Sequence, residues 1–174
     1  MLKKKVKEEY VQIDAAPWMP FPSALSEGGI RWKLLHVSPE MGAWTAIFDC
    51  PKGSSFARHM HIGPGEYLLT KGRMEVRGGV GEGGATAVAP GYGYESANAR
   101  HDKTFFPVPS EFYMTFLGPL NFITEDGKPI AVVGWEEAQA LWEQQTGAGK
   151  KTAAAKSANP KAAAKPARKV ARKR

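Results

Sequence analysis

The chain has 174 residues, of which 43% are hydrophobic and 10% are aromatic. This length and composition are typical of one folded domain with a hydrophobic core, and they exclude a wholly disordered chain. The single cysteine, Cys50, excludes an internal disulfide. No apolar run approaches the roughly 18 residues that a membrane-spanning helix needs, and no signal-peptide pattern follows the charged start. We therefore expect a protein of the cytoplasm.

The net charge of +7 is concentrated at the two ends of the chain. Residues 150–174 contain ten basic residues and no acidic one, whereas residues 10–149 contain ten basic and fifteen acidic residues. We predict three parts: a charged extension at 1–9, a folded domain at 10–147 and a disordered Lys/Ala/Pro/Arg-rich tail at 148–174. The tail is either a solvated extension or a non-specific contact for polyanions such as nucleic acid.

Short β-rich runs separated by glycine and proline dominate residues 30–135. Many short strands with regular turns indicate an all-β sandwich or a closed barrel. The pattern predicts strands at Trp32–Val37, Trp44–Cys50, Ser54–His61, Tyr67–Thr70, Met74–Arg77, Ala85–Ala89, Thr104–Val108, Phe112–Leu117 and Ile130–Val133.

One helix is predicted after the last strand, over Glu136–Gln145. Ala138, Leu141 and Trp142 form an apolar stripe with helical spacing, and Gly147 is a typical stop signal.

The most informative residues are two histidines on a predicted strand. His59 and His61 lie one residue apart, so their side chains project from the same face. Two imidazoles on one face can hold one metal ion, and His101 is available as a third ligand. The alternative is that His59 and His61 are ordinary surface residues of a strand. His36 has no such partner and is interpreted as an ordinary strand residue.

These residues resemble a known family. The spacing of glycines and histidines from Gly53 to Gly72 resembles the first signature motif of the cupins, which are small jelly-roll β-barrels. The second cupin motif is matched in part by Gly84, Pro90 and His101. Nearly the whole of the predicted domain resembles the acetylacetone-cleaving, β-diketone dioxygenase branch. The matching stretches are FPSALSEGGIRWKLLH, SPEMGAWTAIFDCPKGSSFA, GPGEYLLTKGRMEVRGG, HDKTFFPV and FYMTFLGPLNFI.

The resemblance implies a cupin jelly-roll barrel, a homotetramer and Fe(II) held by His59, His61 and His101. Most cupins add a glutamate to the three histidines. Glu66 has a suitable spacing when counted from His61, but it lies one residue late when counted back from the glycine that ends the motif. A one-residue shift turns a strand side chain to the opposite face. We therefore expect Glu66 to face away from the site and Tyr67 to face the histidines.

The resemblance also implies roles for residues around the metal. Four polar side chains would form a catalytic network beside it: Glu95, Arg77, Tyr67 and Thr104. Three aromatic side chains would line the pocket that receives the substrate's alkyl groups: Phe56, Phe112 and Phe116. The ordinary alternatives are that Glu95 is a solvated acid, that Arg77 is a surface strand residue and that the phenylalanines are plain core.

The implied activity is cleavage of a carbon–carbon bond in β-dicarbonyl compounds with O₂, which for acetylacetone gives acetate and methylglyoxal. Three neutral imidazoles leave the charge of Fe(II) available to the substrate enolate and leave coordination positions open for O₂. Two alternatives stay open. One is a metal-dependent cupin sensor or binding module tethered to polyanions by its tail. The other is an enzyme that uses Zn(II) or Ni(II) on the same scaffold.

Overall fold

The computed structural model describes residues 11–147, so the predicted extension at 1–9 and the predicted tail at 148–174 lie outside the described residues. One α-helix, α1 (Trp135–Thr146), follows a series of strands. In chain order the strands are β1 (Met19–Pro20), β2 (Ser26–Glu27), β3 (Arg31–Ser38), β4 (Ala43–Cys50), β5 (Ser55–Phe56), β6 (His59–His61), β7 (Gly65–Lys71), β8 (Arg73–Val76), β9 (Ala85–Val88), β10 (Gly91–Glu95), β11 (Arg100–His101), β12 (Thr104–Phe105), β13 (Ser110–Phe116), β14 (Leu120–Ile123) and β15 (Pro129–Val133).

The strands form three sheets. The largest has the order β1-β3-β4-β13-β7-β10, a second has the order β11-β6-β14-β15, and a third has the order β2-β5-β12-β8-β9. Strand β4 lies in the middle of the largest sheet, and seven of its eight residues are buried. Strand β13 alternates between inward and outward side chains, as a strand with one face on the core does. This all-β architecture with one C-terminal helix confirms the predicted fold class.

Aromatic side chains fill the space between the sheets. Phe48 of β4 lies opposite Phe112 of β13, and their rings stack with centroids 4.9 Å apart. Phe56 of β5 meets Phe48 edge to face at 5.3 Å. Such ring pairs contribute about 0.5–1.5 kcal/mol each beyond the burial of their area. The interior is therefore built mainly from rings that the three sheets bring together.

Helix α1 closes one side of the largest sheet. Trp142 meets Trp32 of β3 edge to face at 5.7 Å, and the Trp32 indole N–H donates a hydrogen bond to Gln145 at 3.1 Å. The backbone N–H of Gly134 donates to the Glu137 carboxylate at the start of the helix. Gly147 follows the helix with φ of 72°, a conformation that glycine adopts at low cost. The predicted helix is confirmed, with one more residue at each end.

No helix in residues 11–147 has the length and apolar character needed to cross a bilayer.

The structure corrects several predicted strand boundaries. The predicted strand Ser54–His61 is two strands in different sheets, because β5 pairs with β2 and β12 whereas β6 pairs with β11 and β14. The predicted strand Met74–Arg77 ends one residue earlier, since Arg77 has a φ of 51° and leaves the extended conformation. Strand β12 stops at Phe105, before the predicted end. Strands β10 and β14 were not predicted, and both contribute to the site described below.

Candidate metal centre and its cavity

Three buried histidines meet on the inner face of the second sheet. His59 and His61 lie on β6, and His101 lies on β11 directly opposite His59. The ring centroids are 4.9 Å apart for His59 and His101, 5.0 Å for His61 and His101, and 5.3 Å for His59 and His61. One nitrogen atom from each ring lies within 4.8 Å of the others. The prediction that these three residues come together is confirmed.

The protein holds His59 in one orientation and in its neutral form. Its Nδ1 atom lies 2.8 Å from the Ala57 carbonyl oxygen, so Nδ1 carries the proton and donates while Nε2 keeps its lone pair. Burial and the neighbouring His101 lower the pKa of His59 to about 3. Burial also lowers the pKa of His101, although Glu95 partly offsets this effect. Both rings are therefore available as neutral ligands at neutral pH.

The Glu95 carboxylate contacts the histidine cluster. Glu95 at the end of β10 places Oε2 2.9 Å from His61 Nε2 and Oε1 3.6 Å from His101 Nε2. Burial raises the pKa of the Glu95 carboxyl, but the hydrogen bond with His61 and the electrostatic interactions with the three histidines outweigh burial, and the net pKa is lowered. Glu95 is thus an ionised group beside the three rings.

The neighbouring strand β7 settles which of two adjacent residues faces the site. Tyr67 lies opposite Gly93 of β10 and lines the cavity, whereas Glu66 lies opposite Tyr94 and is exposed. Burial and the nearby Glu95 charge raise the pKa of the Tyr67 hydroxyl. The expectation that Glu66 faces away and Tyr67 faces inward is confirmed.

The other two residues of the predicted polar network lie in different places, Thr104 at the cavity and Arg77 at the surface. Thr104 on β12 is buried, lines the cavity and places its hydroxyl 3.4 Å from His101 Nδ1. Arg77 is exposed, and its guanidinium lies 3.5 Å from the Arg100 carbonyl oxygen. The structure does not bring the Arg77 side chain to the cavity wall. Its positive charge still acts on His101, whose pKa it helps to lower.

The histidine cluster opens into a cavity with a mostly apolar lining. All three predicted aromatic residues line it: Phe56, Phe112 and Phe116. Sequence reasoning missed further apolar lining residues: Phe21, Trp44, Phe48, Met74, Met114, Leu120 and Phe122. Two signals could have found some of them. Met114 lies midway between Phe112 and Phe116 in the alternating pattern of β13, and Leu120 and Phe122 alternate in the same way on β14.

The residues present fit a bound transition-metal ion. Three imidazoles converge, and the His59 ring already donates a hydrogen bond from Nδ1–H to a backbone carbonyl oxygen, which is the usual arrangement of a metal-binding histidine. The His61 Nδ1 atom is buried and has no hydrogen-bond partner within residues 11–147. Glu95 is not part of the group whose ligand atoms all lie within 4.8 Å of one another. The geometry therefore favours three ligands with a carboxylate beside them.

Comparison with known proteins decides the family. Residues 6–121 match the family model described as the ChrR cupin-like domain. The chain belongs to this cupin family. The predicted cupin fold and the three-histidine group of the cupin motif are thus supported by sequence and by structure.

Three similar proteins carry names that refer to acetylacetone cleavage. This cupin is 66% identical over 140 residues to the acetylacetone-cleaving enzyme of Acinetobacter johnsonii, an alignment covering 80% of this chain and 92% of the relative. The crystal structure of an acetylacetone dioxygenase from Acinetobacter johnsonii is 65% identical to this chain and has a TM-score of 0.79. The match covers 82% of this chain and 96% of that chain. A crystal structure from Methylibium petroleiphilum, provisionally named an acetylacetone dioxygenase, is 75% identical and has a TM-score of 0.79, and the match covers 82% of this chain and 99% of that chain.

Proposed function

We propose that this cupin is a non-haem Fe(II) dioxygenase that cleaves a carbon–carbon bond of β-dicarbonyl compounds with O₂. Acetylacetone and one O₂ would give acetate and methylglyoxal, which together contain all the atoms of the reactants. The activity named for its relatives supports the substrate class. The observation that carries the proposal is geometric: three buried imidazoles and the Glu95 carboxylate open into a mostly apolar cavity.

His59, His61 and His101 would hold the metal ion. When bound, Fe(II) supplies positive charge that stabilises a chelating enolate and a coordination site for O₂. Because Glu66 is exposed on the other face of its strand, the converging ligand set contains no carboxylate. A neutral ligand set leaves the charge of the ion for the anionic substrate.

Glu95 is suited to take the proton that a β-diketone loses when it becomes an enolate. Its carboxylate is ionised, largely buried and directed at two of the histidines. A base must lie within hydrogen-bonding reach of the proton that it removes, and Glu95 is the acidic residue of the cavity lining. Thr104 would hold the His101 ring in place, and Tyr67 would complete the polar side of the cavity.

The aromatic wall would bind the alkyl groups of the substrate and exclude water. Phe112 and Phe116 project from β13, and Phe56 projects from β5 toward the same cavity. Apolar walls with a few convergent polar groups are typical of sites for small, weakly polar ligands. Arg77 lies outside this wall, so its predicted part in the network would be limited to the charge that it contributes from the surface.

The decisive test is oxygen uptake by iron-loaded protein on addition of acetylacetone. We expect consumption of one O₂ for each acetate and each methylglyoxal formed, and no uptake by iron-loaded His59→Ala. Protein loaded with Zn(II) or Ni(II) separates this proposal from a non-oxidative enzyme on the same scaffold. Turnover with Zn(II) and no O₂ consumption with Fe(II) would contradict the dioxygenase.

We also propose a homotetramer. An exposed apolar patch lies on the outer face of β7, β10 and β13, and it consists of Leu68, Tyr92, Tyr94 and Tyr113. Exposed patches of large apolar residues are typical of subunit contacts. Light scattering of the purified protein should give four times the mass of one chain, and Tyr92→Glu should lower that mass. A monomeric wild-type protein would contradict this proposal.

A second candidate function concerns the basic end of the chain. Residues 150–174 contain ten basic and no acidic residues, and alignments covering 96% and 99% of two solved relatives account for only 82% of this chain. We propose that this segment binds polyanions such as nucleic acid. We also propose that the protein works in the cytoplasm. Full-length protein should bind a random DNA duplex at 50 mM salt and lose most of that binding at 200 mM, as counterion release requires. The 1–147 fragment is the control and should not bind. Equal affinity of both proteins would contradict the proposal.

A further inference from the structure

The edge strand β10 has an unusual distribution of side chains. Its sequence is Gly91-Tyr92-Gly93-Tyr94-Glu95, and alternate residues of a strand face opposite sides. Tyr92 and Tyr94 are 66% and 59% exposed, so they face outward. The inward face therefore carries glycines followed by Glu95.

The ring of Tyr67 occupies the space that Gly93 leaves. Tyr67 is the direct cross-strand partner of Gly93. A Cβ atom built on Gly93 would lie 2.2 Å from Cζ, 2.3 Å from Cε1 and 2.4 Å from the hydroxyl oxygen of Tyr67. Real Cβ contacts are essentially never shorter than 3.0 Å. The ring thus lies against the backbone of Gly93, and any other residue at this position would force the ring to move.

The Tyr67 ring, which a side chain at residue 93 would displace, is part of the candidate site. Tyr67 lines the cavity, and Glu95 is the next inward-facing residue of β10 after Gly93. Between two paired strands, side chains on one face two positions apart are close enough to interact. The position of the Tyr67 phenol relative to the Glu95 carboxylate therefore depends on the absence of a side chain at residue 93.

We infer that Gly93 is a positioning residue of this cupin, because it leaves the space in which the Tyr67 ring lies beside Glu95 at the cavity wall. Gly93 acts through Tyr67 and touches no reacting atom. Its effect on turnover rests on the proposed function, whereas its contact with Tyr67 does not.

A double-mutant cycle tests the inference. The variants are Gly93→Ala, Tyr67→Ala and the double variant, all iron-loaded and assayed with acetylacetone. Gly93→Ala should lower kcat/KM at least tenfold when Tyr67 is present and less than twofold when Tyr67 is alanine. Both single variants should change the same kinetic constant, kcat or KM. Gly81→Ala is the matched control, because a Cβ at Gly81 meets no atom within 4 Å, and its kcat/KM should stay within twofold.

The outcomes separate the positioning role from the proposed activity. Equal fold-losses from Gly93→Ala in both backgrounds would overturn the inference while leaving the dioxygenase proposal intact, and so would an unchanged kcat/KM in Tyr67→Ala. If wild-type protein turns over no β-diketone, the proposed function fails and a thermal-unfolding cycle decides the contact. In that cycle Gly93→Ala should lower Tm with Tyr67 present and leave Tm nearly unchanged in Tyr67→Ala. A Tm loss of the same size in both backgrounds would overturn the inference.

Discussion

The two ends of the cavity are held in place by different interactions. At the histidine end, directional hydrogen bonds hold the rings. His59 bonds to the Ala57 carbonyl oxygen, and His101 bonds to the Thr104 hydroxyl. At the aromatic end, rings are held by packing alone, as in the stack of Trp44 on Phe116 at 3.9 Å. The histidine end therefore sets where a metal ion can bind, and the aromatic end sets how much apolar surface is buried. We therefore expect substitutions at the histidine end to affect chemistry and substitutions at the aromatic end to affect stability.

Removal of one histidine should have the largest effect. His59→Ala deletes one of three converging nitrogens, so metal content after loading with Fe(II) and dialysis should fall well below one ion per chain, and oxygen uptake should fall to background. His36→Ala is the control, because His36 is exposed on β3, and it should keep both properties. Full metal content in His59→Ala would show that the cluster is not the metal site.

Truncation at the aromatic end should cost stability and leave metal content intact. Phe112 is buried and stacks on Phe48 and Phe106, so Phe112→Ala should lower the free energy of unfolding by about 3–5 kcal/mol. Urea unfolding of the metal-loaded protein measures this change. Loss of the metal with unchanged stability would contradict the contrast between the two ends.

Neutralisation of the carboxylate should reduce turnover without unfolding the protein. Glu95→Gln keeps the shape of the side chain and removes the charge beside His61, and we expect kcat/KM to fall about 10–100-fold, as for other groups that contact metal-binding histidines. Glu66→Gln is the matched control, because Glu66 is exposed on the opposite face, and its kcat/KM should stay within twofold. Equal losses in the two variants would contradict the assignment of Glu95 to the site.

The most gradual effect is the pH dependence of the stability of metal-free protein. The pKa of His59 falls from 6.5 to about 3 in the folded state, so between these values the unfolded chain binds a proton that the folded chain does not. The free energy of unfolding should therefore decrease as pH falls from 6.5 toward 3, by at most about 1.4 kcal/mol per pH unit from this group. Urea unfolding at several pH values measures the slope, and His59→Gln should reduce it. A stability independent of pH between 6.5 and 4.5 would contradict the prediction.

Local patterns predicted much of the site. The spacing of His59 and His61 predicted one shared face, which follows from the two-residue period of a strand. The same period, combined with the glycine spacing of the cupin motif, predicted that Tyr67 faces inward and Glu66 faces away. The pairing of His101 with His59 came from a family resemblance, because contacts between distant segments leave no periodic signal in one sequence.

The predictions that failed concern sheet pairing and local backbone geometry. The stretch from Ser54 to His61 reads as one strand, but the Leu25 carbonyl accepts a hydrogen bond from Ala57 and the chain passes from one sheet to another there. Strand β10 was missed because glycines replace the usual inward apolar residues, although its outward tyrosines alternate regularly.

By itself, the sequence determined the all-β class, the C-terminal helix and the face shared by His59 and His61, because each depends on the periodicity of neighbouring residues. Only the tertiary structure decided that Arg77 points to the surface, that Trp44 lines the cavity and that the Tyr67 ring lies over a glycine. These positions depend on which strands pair and in what register, and many distant residues set that register together.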